Sequence, residues 1–490
     1  MQSILKALRK SDKSIECNFR TVPCSCDELT FDWFNETLKK ESILSPDVCV
    51  SAIDVTQLRN EVTGSLDGGG LSGSALVRVN LKYGPFGRAG NVTGKEPSSL
   101  ICKLSLGNEY NVTFFWRTIL YLSSGGGYDE YMYMQEAKFV KHVLPVMDNT
   151  LYVFPKIYFC GVDDQGDRGF GTAVIFSRPT KVKTITLMED MTHWKPCSVG
   201  IYVSKETAKL CFKNVAVLHA KFWGDKLDDI KSLFKPSKVD KDFRPGAYSK
   251  TQAILRKFYF STNKIHKNID KLLESDWKTV SMTTLKQDSL FPDWFTAQPL
   301  RDGTRPVFGD DLVLEMLRVL GVKAPNYYRK KLKSFIQKPP QTMLHGDFHA
   351  GNHMYGIDEN VGKIVALDFQ FAGPGLVVTE FVYFFMMSLS PHSLEDLMEI
   401  ARAYHTELVV NGVHDYGLEE FIDDIKMLVT DFCIAFLSMC TIISPASIKQ
   451  YAKGMWKDEG ASKIFDNCIY GKLFLLLTAF YLKDKDSFMN

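Results

Sequence analysis

Two short stretches of this sequence carry residue types that suit phosphoryl transfer. Residues 345–352 read His-Gly-Asp-Phe-His-Ala-Gly-Asn, and residues 367–370 read Leu-Asp-Phe-Gln. Such a reaction needs a carboxylate that orients the attacking hydroxyl and accepts its proton, together with oxygen ligands for the Mg²⁺ ion on the nucleotide phosphates. We assign the first role to Asp347 and the second to Asn352 and Asp368.

A hairpin is expected to bring these groups together. Residues 352–355 and 363–367 are strand-like. Turn-forming residues lie between them: Gly356, Asp358, Asn360 and Gly362. Folding about that turn places the start of the first strand beside the end of the second, so Asn352 and Asp368 become neighbours. Asp347 is expected at the same open end of the hairpin. Its carboxylate is predicted to contact the hydroxyl rather than the metal.

A purely structural alternative is that His-Gly-Asp is a surface turn and that Asp-Phe-Gln only ends a buried strand. The fixed positions of His-Gly-Asp-x-x-x-x-Asn arise by chance in a chain of this size with a probability on the order of one in a thousand. The second motif at hairpin distance therefore favours the kinase-like interpretation. We interpret His345 as structural, because a histidine before such a turn is more often a hydrogen-bonded scaffold residue than a proton carrier. We interpret His349 as structural too, because one histidine too few is present for a zinc site.

Length, charge and cysteine usage limit the class of protein. A chain of 490 residues predicts two or more packed units. The net charge of +2 gives no electrostatic footprint for nucleic acid. The 11 cysteines form no Cys-x-x-Cys pair, and the apolar runs are too short for a membrane span. We expect reduced thiols and a cytoplasmic location.

The elements that would position this chemistry begin with a glycine-rich loop. Residues 68–73 read Gly-Gly-Gly-Leu-Ser-Gly, which is compatible with a dinucleotide fold, a kinase loop or a plain turn. Residues 75–82 then alternate apolar and polar side chains, the period of a strand. A dinucleotide fold requires a helix there. We therefore predict a phosphate loop between two strands, and the residues expected at the nucleotide are Gly70, Ser72 and Gly73.

A lysine within a short apolar strand is the second nucleotide-binding candidate. Lys103 stands in Leu-Ile-Cys-Lys-Leu, residues 100–104. An unpaired ammonium is costly in such a strand, so it needs anionic partners. Nucleotide phosphates are one partner, and Glu136 on a predicted helix is the other. The alternative is a strand-end lysine and a solvated helix glutamate.

A strand that breaks into acidic residues is the candidate hinge. Residues 185–191 read Ile-Thr-Leu-Met-Glu-Asp-Met. Backbone groups near Glu189 and Met191 are predicted to bind the edge of the adenine, and the alternative is an ordinary strand end. Residues 208–223 then read as an amphipathic helix, in which His219 is predicted to be a core or capping residue.

In this order, the segments resemble the aminoglycoside phosphotransferase and choline kinase superfamily, and most of all its CHK kinase-like branch, the ecdysteroid kinase-like proteins. Residues 187–191 and 218–223 resemble the hinge and helix of that branch, and residues 345–352 and 368–370 resemble its active site. The likeness covers roughly residues 60–390. It implies a protein-kinase-like fold that uses ATP and Mg²⁺ to phosphorylate a hydroxyl of a small molecule.

The implied fold class is α+β with two lobes. A small, mostly antiparallel β lobe with one helix is predicted over residues 49–190, and a larger, mainly helical lobe over residues 191–490. The second lobe would hold the catalytic loop, the metal site and the acceptor pocket. Residues 1–48 form an amino-terminal extension to which we assign no role.

One residue departs from the pattern of the family. Glu380 stands where the family usually places an aspartate before an apolar helix. The longer carboxylate either braces the catalytic loop or indicates that this sequence has drifted from the pattern of the active family members. A catalytically silent nucleotide-binding regulator or scaffold is therefore the alternative function.

The sequence does not name the acceptor or the oligomeric state. Residues 243–340 and the helices after Glu380 are expected to build the acceptor pocket. Its candidate lining residues are aromatic: Phe291, Trp294, Phe295 and Trp456. Aromatic side chains more often pack in the hydrophobic core than form a cage around a cationic ligand. A quaternary ammonium acceptor therefore lacks specific support.

Overall fold

The computed structural model describes these residues of the chain: 22–23, 25–58, 74–85, 96–105, 128–164, 182–196, 203–234, 341–389 and 394–440. Several predicted site residues lie outside them, namely Gly70, Ser72 and Gly73 of the glycine-rich loop. The acceptor segment 243–340 and Trp456 also lie outside the described residues.

A five-stranded sheet occupies the amino-terminal part. Its strands are β1 (Val48–Gln57), β2 (Ser74–Pro85), β3 (Ser99–Ser105), β4 (Ile157–Asp164) and β5 (Val182–Glu189). They run in the order β1-β2-β3-β5-β4, and every neighbouring pair is antiparallel. The alternation after the glycine-rich stretch is confirmed as strand β2, with Ala75, Val77 and Val79 buried. A strand at this position removes the dinucleotide-fold interpretation.

The residues just before β1 belong to the core of this sheet. Helix α1 (Phe31–Lys40) begins after Thr30, whose side chain accepts a hydrogen bond from the Trp33 N–H at 3.2 Å. Phe34 and Leu38, one turn apart, are fully buried in the same cluster as the sheet side chains. The predicted lobe limits at residues 48 and 190 stay predictions.

A second helix packs on the sheet. Helix α2 (Tyr128–Lys138) continues into a π-helical turn at Phe139–Val143 and a 3₁₀ turn at Leu144–Val146. This helix carries Glu136.

The carboxy-terminal part is mainly helical. Its helices are α3 (Lys205–Lys221), α4 (Asp228–Lys231), α5 (Val377–Ser388), α6 (Leu394–Val410) and α7 (Leu418–Cys440). This part also contains 3₁₀ turns at Gly224–Leu227, Ala350–Asn352 and Asp358–Asn360, and a further 3₁₀ turn precedes α1 at Cys26–Glu28. Among the described helices, none has the length and apolar character that crossing a membrane requires. The predicted α+β class, with an antiparallel sheet followed by a helical part, is confirmed.

Five short strands carry the motif region. They are β6 (Trp194–Pro196), β7 (Thr342–Leu344), β8 (His353–Gly356), β9 (Ile364–Ala366) and β10 (Gly373–Gly375). Strand β7 pairs with β10, and β8 lies between β6 and β9. The predicted hairpin is confirmed, with His353 opposite Ala366 in the antiparallel register of β8 and β9.

An aromatic cluster joins the helices to this region. The ring of Phe212 on α3 lies 5.2 Å from Phe348, 4.8 Å from Phe381 and 5.8 Å from Tyr404, measured between ring centroids. All four side chains are buried. Helices α3, α5 and α6 therefore share one core with the residues that follow Asp347.

The buried His353 makes the stability of the fold depend on pH. Its Nδ1 lies 2.8 Å from the His349 carbonyl oxygen, its side chain is 0% exposed, and burial lowers its pKa to about 3. A histidine in the unfolded chain has a pKa of about 6.5. Below that pH the unfolded chain therefore binds a proton at this residue, whereas His353 in the folded chain stays neutral. The free energy of unfolding should fall as the pH drops, and this residue should contribute about 2 kcal/mol of loss between about pH 7.5 and about pH 5.

Urea denaturation at the two pH values checks this expectation. His353→Asn keeps a donor near the His349 carbonyl and removes the titration, so its loss on acidification should be smaller by that amount. The exposed His414 offers a matched control, because His414→Asn should leave the pH dependence unchanged. If His353→Asn and the wild type lost the same free energy of unfolding on acidification, that result would contradict a neutral buried His353.

Candidate active site

Lys103 connects the sheet to the hairpin. Its Nζ lies 2.9 Å from Glu136 Oε1 and 2.7 Å from Asp368 Oδ1. Burial alone would lower the pKa of Lys103, but the carboxylates of Asp368 and Glu136 outweigh burial and raise it above its ordinary value. The ammonium is therefore charged. The ion pair with Glu136 agrees with the expectation from sequence, whereas the contact with Asp368 was not predicted.

The local backbone holds Asp368 at the mouth of the hairpin. Asp368 has a φ of +61°, the left-handed region that non-glycine residues adopt mainly at constrained sites. The preceding Leu367 N–H donates to the Asn352 carbonyl oxygen at 2.9 Å. The predicted proximity of Asn352 and Asp368 thus follows from the backbone pairing of the hairpin. The ring of Phe369 stacks on Phe139 at 4.3 Å, which ties the motif to the turn that follows α2.

Several donors hold the carboxylate of Asp347. Tyr383 Oη donates to Oδ1 at 3.0 Å. Asn352 Nδ2 and Gln370 Nε2 donate to Oδ2 at 3.1 and 3.3 Å. Burial would raise the pKa of Asp347, but the nearby His349, whose Nε2 is 3.7 Å away, and the Tyr383 hydroxyl hold that pKa well below its usual range. Asp347 is therefore ionised at neutral pH.

The side-chain amide of Asn352 has one orientation that satisfies its neighbours. Nδ2 donates to the Asp347 carbonyl oxygen at 2.9 Å and to Asp347 Oδ2 at 3.1 Å. Both partners are acceptors, so the nitrogen must face them and Oδ1 must face away. No donor among the described residues reaches Asn352 Oδ1, which makes this oxygen suitable as a metal ligand.

Glu380 braces the turn that carries Asp347. Its Oε1 accepts the Gly346 N–H at 2.6 Å, and its Oε2 lies 2.7 Å from His219 Nε2. The second ring nitrogen of His219 lies 2.7 Å from Tyr404 Oη. Glu380 and His219 are 2% and 1% exposed. This network gives His219 the buried core role predicted for it, and Glu380 contacts the backbone directly before Asp347.

The turn itself needs glycine. Gly346 has a φ of +87°, and a Cβ there would lie 1.9 Å from the Phe371 carbonyl oxygen. The preceding His345 is buried and locks the same turn. Its Nε2 lies 2.7 Å from the Leu367 carbonyl oxygen, and its Nδ1 accepts the Asp347 N–H at 3.3 Å. Burial lowers the pKa of His345, in keeping with a neutral structural residue.

The candidate hinge is held by an ion pair that sequence reasoning missed. Arg78 on β2 contacts both oxygens of Asp190 at 2.8 and 3.2 Å. The backbone N–H of Glu189 donates to the Lys156 carbonyl oxygen at 2.9 Å, and the Met191 carbonyl accepts the Trp194 N–H at 3.0 Å. Any adenine contact near these two residues must therefore avoid the Glu189 N–H, whereas the Met191 carbonyl oxygen keeps a second lone pair.

Two further missed residues act on Asp347. Gln370 directly follows the Asp-Phe pair, and Tyr383 stands three residues after Glu380 on α5. Side chains three apart on a helix share a face. That spacing is the signal that could have placed Tyr383 beside the same turn as Glu380.

The comparison with family models matches residues 320–413 to the ecdysteroid kinase-like family. The resemblance stated from the sequence is confirmed for this segment, which contains both motifs and Glu380. No match to a curated protein was found.

Solved structures give likenesses at low sequence identity. The chain is similar to a putative aminoglycoside phosphotransferase from Ralstonia eutropha JMP134, with 10% identity, a TM-score of 0.39, and coverage of 92% of this chain and 99% of the other. For choline kinase from Cryptosporidium parvum Iowa II, the identity is 12%, the TM-score 0.35, and the coverage 89% and 90%. For a microcompartment-associated aminopropanol kinase these values are 10%, 0.35, 89% and 94%.

Proposed function

We propose that this protein transfers the γ-phosphoryl group of ATP to a hydroxyl group of a small molecule, with Mg²⁺ bound at Asn352 and Asp368. The contact of 2.7 Å between Lys103 and Asp368, 265 residues apart in sequence, is the observation that carries the proposal. It joins a buried cation on the sheet to a carboxylate beside Asn352. A cation for phosphates and oxygen ligands for a metal are the two components that phosphoryl transfer requires side by side.

The nucleotide side of the proposal rests on Lys103. Its ammonium, held by Glu136, would neutralise charge on the α and β phosphates. The loop residues Gly70, Ser72 and Gly73 are proposed to supply backbone N–H groups to the phosphates. Backbone groups near Glu189 and Met191 are proposed to contact the adenine.

The donor set at the mouth of the hairpin fits Mg²⁺. The ion prefers oxygen ligands, and it is usually held by one or two carboxylates together with substrate phosphates and water. Asp368 offers a carboxylate. Asn352 offers its amide oxygen, which faces away from Asp347 because the amide nitrogen donates both hydrogen bonds to that residue. When bound, Mg²⁺ neutralises charge that develops on the transferring phosphates.

Asp347 is proposed to orient the attacking hydroxyl. The acceptor oxygen forms a bond to the γ-phosphorus while the bond from that phosphorus to the bridging oxygen breaks, and ADP leaves with the electron pair. The hydroxyl proton passes to the Asp347 carboxylate. A carboxylate with a depressed pKa is a weak base, so the proton moves late, after the new bond has made the hydroxyl acidic.

The contacts of Glu380 favour an active enzyme over a silent scaffold. The glutamate at this position was one of two sequence features that left room for a silent protein, the other being the unassigned ends of the chain. Glu380 accepts the Gly346 N–H at 2.6 Å, so the longer side chain reaches the catalytic turn. Every residue type that the transfer needs is present.

Asp368→Asn should weaken the binding of MgATP by roughly tenfold or more, a loss of about 1.4 kcal/mol, because an amide is a poorer metal ligand than a carboxylate. The binding of ATP without metal should stay equal or become tighter, since the variant removes a negative charge near the phosphates. Isothermal titration calorimetry with and without Mg²⁺ separates the two effects.

The control is Asp358→Asn at the exposed hairpin turn, where asparagine tolerates the φ of +53°. It should bind both forms of ATP as the wild type does. Equal weakening with and without metal in Asp368→Asn would remove Asp368 as a metal ligand.

A further inference from the structure

A tyrosine on α5 reaches the proposed catalytic carboxylate. Tyr383 Oη donates to Asp347 Oδ1 at 3.0 Å. The same helix accepts the Gly346 N–H through Glu380 at 2.6 Å, and Ser388 Oγ accepts the Ala350 N–H at 2.7 Å. One helix thus contacts the loop before, at and after Asp347. Of these three contacts, only the one from Tyr383 is made to the group proposed to react.

The hydrogen bonds of Asp347 distinguish its two oxygens. An ionised carboxylate offers about four acceptor positions, two on each oxygen. Oδ2 receives the donors of Asn352 and Gln370, which fill its positions. Oδ1 receives the Tyr383 hydroxyl, and no second donor from the described part of the chain reaches it. The position open to an incoming hydroxyl is therefore on Oδ1, next to Tyr383 Oη.

Tyr383 and His349 lie at different oxygens of the carboxylate. The ring of His349 lies 6.2 Å from the Tyr383 ring at an interplanar angle of 64°. His349 Nε2 lies 3.7 Å from Oδ2, whereas Tyr383 Oη donates to Oδ1. A hydroxyl that binds the open position of Oδ1 therefore shares this oxygen with Tyr383.

We propose that Tyr383 is a positioning residue for phosphoryl transfer, which holds the Asp347 carboxylate so that the remaining lone pair of Oδ1 faces the acceptor hydroxyl. The inference rests on the proposed function and deepens it. With the Tyr383 hydroxyl present, the donors on both oxygens fix the rotation of the carboxylate about its Cβ–Cγ bond. Without it, Oδ1 loses its fixed donor and the acceptor hydroxyl meets a carboxylate in several orientations.

Tyr383→Phe keeps the ring and removes only the donor. A hydrogen bond to a charged group is worth a factor of roughly ten to a hundred, and kcat should fall by that factor. The KM for MgATP should stay unchanged, because Lys103 and Asp368, the groups proposed to hold the nucleotide and its metal, keep their contacts with each other.

A second tyrosine supplies the matched control. Tyr152 is fully buried, and its hydroxyl has no hydrogen-bond partner among the described residues. Tyr152→Phe therefore makes the same chemical change at a site that does not touch Asp347. It should leave both kcat and the Asp347 carboxyl signal where they are in the wild type.

The carboxyl signal of Asp347 gives a readout that does not need an acceptor. Aspartate carboxyl carbons can be followed by NMR at neutral pH, with the Asp347 signal identified by its absence in Asp347→Asn. A displaced Asp347 signal in Tyr383→Phe but not in Tyr152→Phe, together with the lower kcat, supports the inference. An Asp347 signal that stays in place in Tyr383→Phe, or a kcat equal to that of the wild type, overturns it. A wild type that phosphorylates no alcohol overturns the proposed function instead, and with it the role of Tyr383, even where the NMR shift confirms the hydrogen bond.

Discussion

Asp347→Asn is expected to lower kcat by about a thousandfold or more, within the range that a positioned base contributes, and to leave MgATP binding nearly unchanged. The carboxylate is the group proposed to accept the hydroxyl proton, and an amide cannot take that proton. Nucleotide contacts are proposed to come from Lys103, Asn352 and Asp368, which this substitution leaves in place.

The variant should also fold. Asn352 Nδ2 and Gln370 Nε2 both donate to Oδ2 of Asp347, and the amide oxygen of asparagine can accept both bonds. Steady-state kinetics and calorimetric titration with MgATP measure the two halves of the prediction. Asp423→Asn, at an exposed position on α7, is the control and should behave as the wild type does. Activity within tenfold of the wild type in Asp347→Asn would rule out the assigned role.

Glu380→Ala should destabilise the protein and abolish activity together. The substitution leaves the Gly346 N–H and the His219 ring nitrogen without their acceptor in a site that is 2% exposed. Each unsatisfied buried group costs about 1–3 kcal/mol, so we expect a loss of about 3 kcal/mol in the free energy of unfolding. Activity should fall as well, because Gly346 directly precedes Asp347.

Glu380→Gln removes the charge of the side chain but keeps its length, so it can still connect Gly346 with His219. The amide oxygen can still accept the Gly346 N–H. Its nitrogen can donate to His219 Nε2 if the imidazole changes tautomer and donates from Nδ1 to Tyr404 Oη. We therefore expect a much smaller loss than in the alanine variant. Urea denaturation and kcat measure both variants, and equal damage in the two would mean that the charge of Glu380, rather than its bridging shape, is what the turn requires.

Local patterns carried most of what could be predicted from the sequence. The hairpin was predictable because its strands and turn are adjacent in the chain, and adjacency alone brings Asn352 to Asp368. The pairing of Lys103 with Glu136 was predictable for an energetic reason, since a cation in an apolar strand must find an anion. Strand β2 was predictable from its alternation.

Contacts between distant elements could not be predicted in the same way. The approach of Lys103 to Asp368 depends on how the sheet lies against the hairpin, and no local pattern encodes that geometry. The ion pair of Arg78 with Asp190 has the same origin, because each residue alone reads as an ordinary solvated charge. Tyr383 was missed although its spacing from Glu380 was visible, since an aromatic residue in an apolar helix is typically part of the core.

The residues before β1 illustrate a different gap. Thr30 is a good helix cap, and Phe34 and Leu38 share one face of α1. These signals predict an amphipathic helix, but they do not say which surface it covers. The structure places that face in the core of the sheet.

The most direct test of the account follows the phosphoryl group itself. The purified protein is incubated with Mg²⁺, a mixed set of alcohols, and ATP whose γ-phosphoryl group carries a heavy-oxygen label, and the products are read by mass spectrometry. We expect an alcohol heavier by one labelled phosphoryl group, made by the wild type and absent with Asp347→Asn. A full set of unmodified alcohols with no ATP consumed, or the same product from Asp347→Asn, would contradict the proposed transfer.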